Sequence, residues 1–235
     1  MNEKEFIQDL KKHNVEIDEK QLSLFKQYYE ILVEYNQKMN LTSITDKDEV
    51  YLKHFYDSLS LLFYCSIEEN FKLCDVGAGA GFPSIPLKIV RPDLKITIVD
   101  SLGKRIQFLN HLIKKLDLNE VNMVHSRAEE FSVNNRESYD IVTGRAVARL
   151  NILSELCVPL VRENGKFIAM KGQTGHEELQ EAKNAIKTLG CELKAVHEFS
   201  LPLNGGSRNI LIFTKKHKTP NKYPRNYSQI KNKPL

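Results

Sequence analysis

Residues 73–83 read Leu73-Cys74-Asp75-Val76-Gly77-Ala78-Gly79-Ala80-Gly81-Phe82-Pro83 and are the most informative part of the chain. An apolar run typical of a buried strand leads through one acidic residue into three alternate glycines. Glycines let backbone amides approach a ligand where any Cβ would collide, and they tolerate the positive φ angles of a tight strand-to-helix turn. The segment therefore predicts a ligand-binding turn of an α/β fold, with an ordinary structural turn as the alternative.

The spacing of the glycines distinguishes two classes of cofactor. Nicotinamide-binding loops read G-x-G-x-x-G and place a pyrophosphate at a helix N-terminus. In this chain the third glycine follows after one residue, and a carboxylate just before the loop, Asp75, would repel a pyrophosphate. It suits a ligand with cationic groups. We therefore interpret Asp75, Gly77, Gly79 and Gly81 as the cofactor loop of an S-adenosylmethionine-dependent methyltransferase.

The composition is that of an ordinary soluble protein. The 235 residues are 41% hydrophobic and 27% charged, which predicts one main domain with an extension. The four cysteines show no C-x-x-C spacing, so we expect neither a disulfide framework nor a metal. The N-terminus is polar and no run of about 18 apolar residues occurs, which predicts a cytoplasmic protein outside the membrane.

Positive charge is concentrated at the C-terminus. Residues 215–235 contain seven Lys or Arg and no Asp or Glu, so residues 1–214 carry a net charge of −3 while the whole chain carries +4. Tyr223 and Tyr227 lie among these bases, and such a tail could contact phosphates and stack on unpaired RNA bases. A solvated basic terminus is the alternative.

Three regions are predicted along the chain. Residues 1–66 form an N-terminal helical extension, because apolar residues recur at helical spacing and Asp46 with Glu49 forms a plausible capping box. Residues 67–215 alternate between strands and helices, which predicts an α/β methyltransferase domain with a mostly parallel, Rossmann-like sheet. Residues 216–235 form the basic tail.

The central region is predicted to contain seven strands. They are expected near residues 72–76, 95–99, 120–124, 139–143, 166–170, 192–200 and 209–214, and the helices among them near 83–90, 102–116, 150–162 and 176–188. The last two strands are joined through the turn-forming sequence Asn204-Gly205-Gly206, so we expect them to close the sheet as an antiparallel hairpin.

Charged residues follow three of these strands, at the edge where open α/β sheets bind ligands. Asp100 ends the second strand, where an acid commonly binds ribose hydroxyls, and Glu129 follows the third strand, at the position that closes over an adenine edge. Arg145 ends the fourth strand and could fix a cofactor carboxylate or an RNA phosphate. The alternatives are a helix cap, an ordinary first-turn acid and a surface ion pair, respectively.

Further polar residues are candidates for the acceptor side of the site. Asn36 and Asn40 flank a helix end, His54 and Asp57 lie about one helical turn apart, and Lys171 closes the fifth strand. His54 and Asp57 have no third ligand nearby, and no G-x-S-x-G turn is convincing, so a metal centre and a nucleophile elbow are not indicated. Helix capping or an ordinary polar position on the surface is the alternative role for these residues, and local hydrogen bonding is the alternative for His54 and Asp57.

Taken together, these motifs form an ordered series across nearly the whole chain. The series consists of Asn36–Thr42, His54–Leu59, Asp75–Pro83, Asp100–Arg105, Ser126–Phe131, Arg145-Ala146, Lys171-Gly172 and Tyr223-Pro224-Arg225. It resembles the bacterial ribosomal RNA small-subunit methyltransferase G family, also called glucose-inhibited division protein B. The resemblance implies a class I methyltransferase that acts on N7 of a guanosine, position 527, in the 530 loop of 16S rRNA.

The resemblance also implies site residues and partners. The cofactor contacts of the family fall on Gly77, Phe82, Ala128, Glu129 and Arg145 of this chain. The expected partner is 16S rRNA, in the 30S subunit or an assembly intermediate, and the expected state is a monomer. The chain departs from the family pattern at two positions beside these motifs, with a tyrosine at 35 where Trp is frequent and a serine at 84 where Gly is frequent.

The implied chemistry agrees with the residues present. Guanine N7 carries an exposed lone pair, so it attacks a sulfonium methyl group without prior deprotonation and needs no general base. We therefore assign no certain catalytic residue. Arg145, Lys171 and the tail are interpreted as steering RNA, and Asn36, Asn40, His54 and Asp57 as shaping a pocket for an unstacked guanine. The alternatives are another methyl acceptor, a non-catalytic RNA-binding protein and a nicotinamide oxidoreductase, for which the loop spacing is wrong.

Overall fold

Seven strands form a single sheet in the computed structural model, which describes residues 1–235. The strands are β1 (Lys72–Val76), β2 (Lys95–Asp100), β3 (Val121–His125), β4 (Tyr139–Arg145), β5 (Val161–Lys171), β6 (Cys191–Ser200) and β7 (Ser207–Lys215). Their order is β3-β2-β1-β4-β5-β7-β6; β1 to β5 pair in parallel, and β7 runs antiparallel to β5 and β6. The predicted α/β fold with its C-terminal hairpin is confirmed.

Twelve α-helices cover the two faces of the sheet and form the N-terminal extension. They are α1 (Glu3–Lys12), α2 (Glu19–Met39), α3 (Lys47–Val50), α4 (Asp57–Leu59), α5 (Leu61–Tyr64), α6 (Ser84–Val90), α7 (Gly103–Lys115), α8 (Ala128–Asn134), α9 (Leu150–Cys157), α10 (Gly175–Glu181), α11 (Lys183–Thr188) and α12 (Tyr227–Asn232). A π-helical segment, Tyr51–Tyr56, joins α3 to α4. Reciprocal capping boxes begin α1 and α2, and they satisfy amides that would otherwise lack partners.

Only one of the two hydrogen bonds of the predicted capping box is present at the start of α3. The Asp46 carboxylate accepts from the Glu49 amide at 3.0 Å, as predicted. The Glu49 side chain does not return to the Asp46 amide but pairs with the ammonium of Lys53, one turn on, at 2.6 Å. A lysine four residues after a glutamate competes for its carboxylate on a helix surface.

Two predicted helices differ from those observed. The helix expected over 150–162 ends at Cys157, because Pro159 has no amide to continue the helix; a short 3₁₀ turn follows, and β5 begins at Val161. The helix expected over 176–188 is divided at Ala182 into α10 and α11. The prediction also lacked α8 and α12, which have six or seven residues each and show little periodicity.

One hydrophobic cluster joins the helical extension to the sheet. Phe25 of α2 packs at a tilt against Phe55 of the π-helical segment, with 5.0 Å between ring centroids, and Tyr28 stacks on Phe82 of the glycine-rich loop at 5.5 Å. All four side chains are buried, in the same cluster as Ile98 of β2. The extension therefore shares its core with the domain that carries the loop.

A second cluster covers the other face of the sheet and includes the C-terminal segment. Phe167 of β5 and Phe213 of β7 stack here at 5.5 Å, beneath α9 and α11. Tyr223 and Ile230, which follow the last strand, are buried in this cluster. Residues 216–235 thus pack against the domain. No helix of the chain is long and apolar enough to cross a membrane.

Replacing Phe25 with Ala tests the shared core. The side chain is fully buried, so the cavity left behind is expected to lower the free energy of unfolding by about 3–5 kcal/mol. Since the two regions share one core, urea unfolding followed by circular dichroism should remain a single transition. The control, Gln27→Ala on the exposed face of the same helix, should change the free energy by less than about 0.5 kcal/mol. Two separate transitions would contradict the shared core.

Candidate active site

The glycine-rich loop leaves β1 and passes under helix α2. Gly81 has φ +101°, and a Cβ there would lie 2.7 Å from the Tyr28 hydroxyl and 2.8 Å from Ile85. The Tyr28 hydroxyl of α2 donates to the Ala80 carbonyl at 2.5 Å, so the extension holds the loop in place on this side. Gly79 has φ +62° and faces open space, where a Cβ would meet no atom within 4 Å. The loop thus packs tightly on one side and exposes its backbone on the other.

A cavity of about 420 Å³ opens at the carboxyl ends of β1 to β3. Gly77, Asp100, Ala128 and Glu129, all predicted to bind the cofactor, line it together. Asp100 is almost fully buried and accepts from the amides of Gly79 at 3.3 Å and Leu102 at 2.9 Å. The volume lies within the range of about 300–1,000 Å³ that is typical of small-molecule sites.

Asp75 lies behind this loop and is completely buried. One of its oxygens, Oδ2, accepts from the Ser84 amide at 3.2 Å, and the other, Oδ1, has no hydrogen-bond partner. Burial raises the pKa of Asp75 to about 7, against the opposing effects of the Ser84 hydrogen bond and the Arg145 charge. A buried, incompletely satisfied carboxyl group favours a nearby cation, because a cation would stabilise its ionised form.

A second cavity, of about 480 Å³, lies at the ends of β4 and β5. Arg145 donates from Nη1 to Asp57 Oδ2 at 3.0 Å, and Arg208 donates from Nε to Asp57 Oδ1 at 3.0 Å. The Arg145 guanidinium also lies 5.1 Å from the Phe82 ring, on which His54 stacks at 4.4 Å. These contacts bring together the helical extension, the fourth strand and the C-terminal hairpin.

The surroundings of His54 determine both its charge and its tautomer. Burial and the Arg145 charge lower the pKa of His54 to about 3, so the ring is neutral at physiological pH. Arg145 can only donate, and it approaches His54 Nδ1 at 3.4 Å, which leaves the ring proton on Nε2 to donate to Thr42 Oγ1 at 2.9 Å. The Thr42 amide in turn donates to Asn36 Oδ1 at 2.8 Å. Asn36 therefore supports the cavity through two intervening side chains.

Lys171 lines the second cavity but is engaged within the chain. Its ammonium donates to the Ala148 carbonyl at 2.5 Å and pairs with Glu178 Oε2 at 2.7 Å. Burial alone would raise the pKa of Glu178, but Lys171 and hydrogen bonds from Thr174 and the Leu150 amide lower it below its usual value. Lys171 thus fixes the loop between β4 and α9, which forms the wall of the cavity.

The remaining predicted residues lie away from both cavities. Asn40 ends α2 in the left-handed conformation, with φ 49° and ψ 56°, and its side chain is exposed. The side of Gly81 on which a Cβ would project packs into the core, and Phe82 is buried behind His54. The tyrosine at 35, one of the departures from the family pattern, packs against Phe108 at 5.5 Å.

Three residues that line the cavities carried no signal of this role in the sequence. Val147 borders both cavities, Arg208 enters the second from β7, and Tyr227 of α12 enters the first. Arg208 meets Asp57 across 151 positions of sequence, and no local pattern encodes such a contact. Tyr227 was predicted to contact RNA, on the basis of the charge around it.

Comparison with known proteins identifies the family. The family model described as rRNA small subunit methyltransferase G matches residues 21–211. The chain belongs to this family. It is 57% identical over 232 residues to the ribosomal RNA small subunit methyltransferase G of Staphylococcus carnosus (strain TM300), with 97% of each chain covered. The protein of the same name from Lysinibacillus sphaericus (strain C3-41) is 57% identical over 227 residues, which cover 96% of this chain and 95% of that one.

Solved structures agree with this assignment at the level of the fold. The M. jannaschii TYW2 structure, in complex with AdoMet, has a TM-score of 0.56 at 14% identity and covers 73% of this chain and 77% of its own. The precorrin-6y C5,15-methyltransferase of Geobacter metallireducens GS-15 has a TM-score of 0.52 at 17% identity, with 69% and 87% covered. This member of the family is an S-adenosylmethionine-dependent rRNA methyltransferase with the class I fold.

The first cavity fits S-adenosylmethionine. Asp100 lines it at the position predicted for the ribose hydroxyls, Glu129 lines it at the position predicted for the adenine edge, and Gly77 borders both. The backbone of Gly79 faces open space. Asp75, whose Oδ1 has no hydrogen-bond partner, is buried behind the loop and does not itself line the cavity. The bound cofactor supplies an electrophilic methyl group. No three His, Cys, Asp or Glu side chains are grouped so that they could hold a metal ion.

The raised pKa of Asp75 predicts a pH dependence of stability. Between pH 4 and 7 the folded chain binds more protons at this residue than the unfolded chain, so Asp75 lowers the free energy of unfolding as pH rises. Asp75→Asn removes this effect. In urea titrations of the free protein, the variant should gain stability relative to the original protein as pH rises from 5 to 7, by up to about 1.4 kcal/mol per pH unit.

A matched control is Asp93→Asn. The Arg91 guanidinium holds the pKa of Asp93 below its usual value, so the carboxylate is ionised over the whole range tested. The stability difference between Asp93→Asn and the original protein should therefore be constant from pH 5 to 8. A constant difference for Asp75→Asn as well would contradict the raised pKa of Asp75.

Proposed function

We propose that this enzyme methylates N7 of a guanosine in the 530 loop of 16S rRNA, at position 527. The supporting observation is that the second cavity contains no free general base. Both oxygens of Asp57 accept from guanidinium groups, and Nδ1 of His54 accepts from Arg145. Glu178 is held by Lys171. The side chains that could take a proton are thus already engaged.

This arrangement favours an acceptor atom that reacts without losing a proton first. Guanine N7 has such a lone pair, whereas exocyclic amino groups and ribose hydroxyls must lose a proton during or after the attack. The rate would then depend on holding N7 in line with the methyl group and on excluding water as the sulfonium charge disperses. His54, neutral and stacked on Phe82, contributes a rigid wall to the cavity and does not act as a base.

The charge of the second cavity suits RNA. Four cationic side chains line it besides Lys171, those of Lys53, Arg145, Arg149 and Arg208. Arg149 is the most accessible of the three arginines, with 52% of its side chain exposed, although it pairs with Glu181 on the surface. Such groups bind phosphates on either side of an unstacked base. Lys171, tied to the loop, supports this surface without contacting RNA directly.

The substrate is proposed to be 16S rRNA in the 30S subunit or in an assembly intermediate. The enzyme would act in the cytoplasm. It would act as a monomer, because one chain provides both cavities and the loop between them. The unstacked guanine is expected to enter from the open side of the second cavity. Single-stranded loops are the usual targets of base-specific RNA recognition, since their bases can be displaced without breaking a duplex.

Methyl transfer from labelled S-adenosylmethionine tests this function. Naked 16S rRNA and 30S subunits, both from cells that lack this protein, are the substrates, and the modified nucleotide is mapped by chain cleavage and mass spectrometry. A single N7-methylguanosine in the 530 loop is expected, and the better substrate identifies the assembly stage. Methylation at another nucleotide, or at another atom of guanine, would refute the proposal.

Replacing Arg145 with Ala tests the second cavity. The change removes one of the two cations that hold Asp57, so kcat/KM for rRNA should fall about 100-fold or more, equivalent to about 2.7 kcal/mol or more. The control, Arg162→Ala, removes an arginine that pairs with Asp140 near the amino ends of β4 and β5, away from the cavity at their carboxyl ends. This change should leave kcat/KM unchanged. Unchanged cofactor affinity, RNA affinity and rate in Arg145→Ala would exclude this residue from the mechanism.

A further inference from the structure

The C-terminal segment is anchored to the domain by buried polar contacts. Glu155 of α9 is completely buried, and its carboxylate accepts from the Arg225 amide at 2.9 Å and from the guanidinium Nη2 at 2.6 Å. Arg136 donates to the carbonyls of Tyr223 at 2.5 Å and Thr219 at 2.6 Å. Breaking such a buried pair would leave an uncompensated charge, so these contacts fix the path of the chain up to residue 225.

These anchors place α12 beside the first cavity. The Asn226 side chain caps the helix by accepting from the Gln229 amide at 3.0 Å, and Ile230 packs into the core with no exposed surface. Tyr227, the first helical residue, lies between these two contacts and lines the cavity that contains Asp100 and Glu129. The cofactor cavity is therefore completed by a segment that follows the methyltransferase sheet.

Tyr227 is held against the cavity by a neighbouring arginine. The Arg127 guanidinium carbon lies 4.4 Å from the centre of the Tyr227 ring, and Arg127 Nε donates to Glu129 Oε1 at 2.7 Å. The stacked guanidinium covers one part of the aromatic surface, while 36% of the residue stays exposed. A chain of contacts thus runs from the C-terminal helix to the carboxylate of Glu129 in the cavity.

We propose that Tyr227 is a cofactor-binding residue and that α12 completes the adenosyl end of the S-adenosylmethionine site. A neutral, flat adenine loses little by leaving water for an aromatic surface, and an aromatic ring at the rim of the cavity provides that surface. The C-terminal segment, which contains Lys and Arg but no Asp or Glu, thus serves the cofactor as well. The inference rests on the dependence of the family on S-adenosylmethionine and not on the identity of the methylated nucleotide.

Isothermal titration calorimetry in the absence of RNA tests the proposal. Tyr227→Ala should weaken binding of S-adenosylmethionine by at least roughly fivefold, the lower end of the range for one lost contact between a base and an aromatic ring. Tyr227→Phe keeps the ring and should bind within about twofold of the original protein. Gln229→Ala, on the side of α12 that faces away from the cavity, should have no effect.

A second ligand locates the contact within the cofactor. 5′-Methylthioadenosine contains the adenosyl part without the amino acid part, so Tyr227→Ala should weaken its binding by the same factor. An affinity of Tyr227→Ala for S-adenosylmethionine within twofold of the original protein would overturn the proposal. So would unchanged binding of 5′-methylthioadenosine. Because no RNA enters these titrations, failure of the rRNA target assignment would leave their outcome intact.

Discussion

The carboxylate of Asp57 lies between two guanidinium groups, and the shape and charge of the second cavity depend on this arrangement. With only 6% of its side chain exposed, Asp57 would be costly to bury as an isolated anion. Arg145 and Arg208 offset that cost, and each reaches it from a different part of the fold. These two ion pairs therefore fix the packing of the helical extension against the fourth strand and the C-terminal hairpin.

The same arrangement determines the chemistry that is available. Two guanidinium groups around one carboxylate leave a net positive charge. Burial, together with the charge of Arg145, disfavours protonation of His54. A neutral histidine that accepts from Arg145 is a poor proton acceptor, and a carboxylate that already accepts two strong hydrogen bonds is another. The geometry that makes the site cationic is thus the geometry that removes its bases. The absence of a free base does not slow methylation of an acceptor atom that already carries an available lone pair.

Local patterns predicted most of the fold, because strands and their order of appearance are encoded by short apolar runs. The glycine loop, Asp100 and Glu129 could be placed together in advance, since parallel strands bring their carboxyl ends to one edge. Arg208 could not, because its contact with Asp57 depends on how the final hairpin packs against the extension. The two missed helices are short and are stabilised by tertiary contacts such as the burial of Ile230, which outweigh weak local propensity. Charge composition was the least reliable guide to the role of the C-terminal segment, because it counts charged side chains without their partners. Arg225 pairs with the buried carboxylate of Glu155. Lys215 is fully buried and donates to the Val158 carbonyl.

The two cavities are separated by a single loop. Ala146 and Val147 border both cavities, and a Cβ at Gly77 would lie 2.8 Å from Val147. Ala146 has φ +56°, a conformation that costs a residue with a Cβ about 1 kcal/mol or more and persists only where the surroundings enforce it. Lys171 helps to hold the loop in this conformation by donating to the Ala148 carbonyl. Lys171, which the sequence predicted to contact RNA, is thus engaged in holding the loop between the two cavities. With the methyl donor in one cavity and the acceptor in the other, as proposed, this loop would set their relative position, in which an error of about one ångström slows a reaction most.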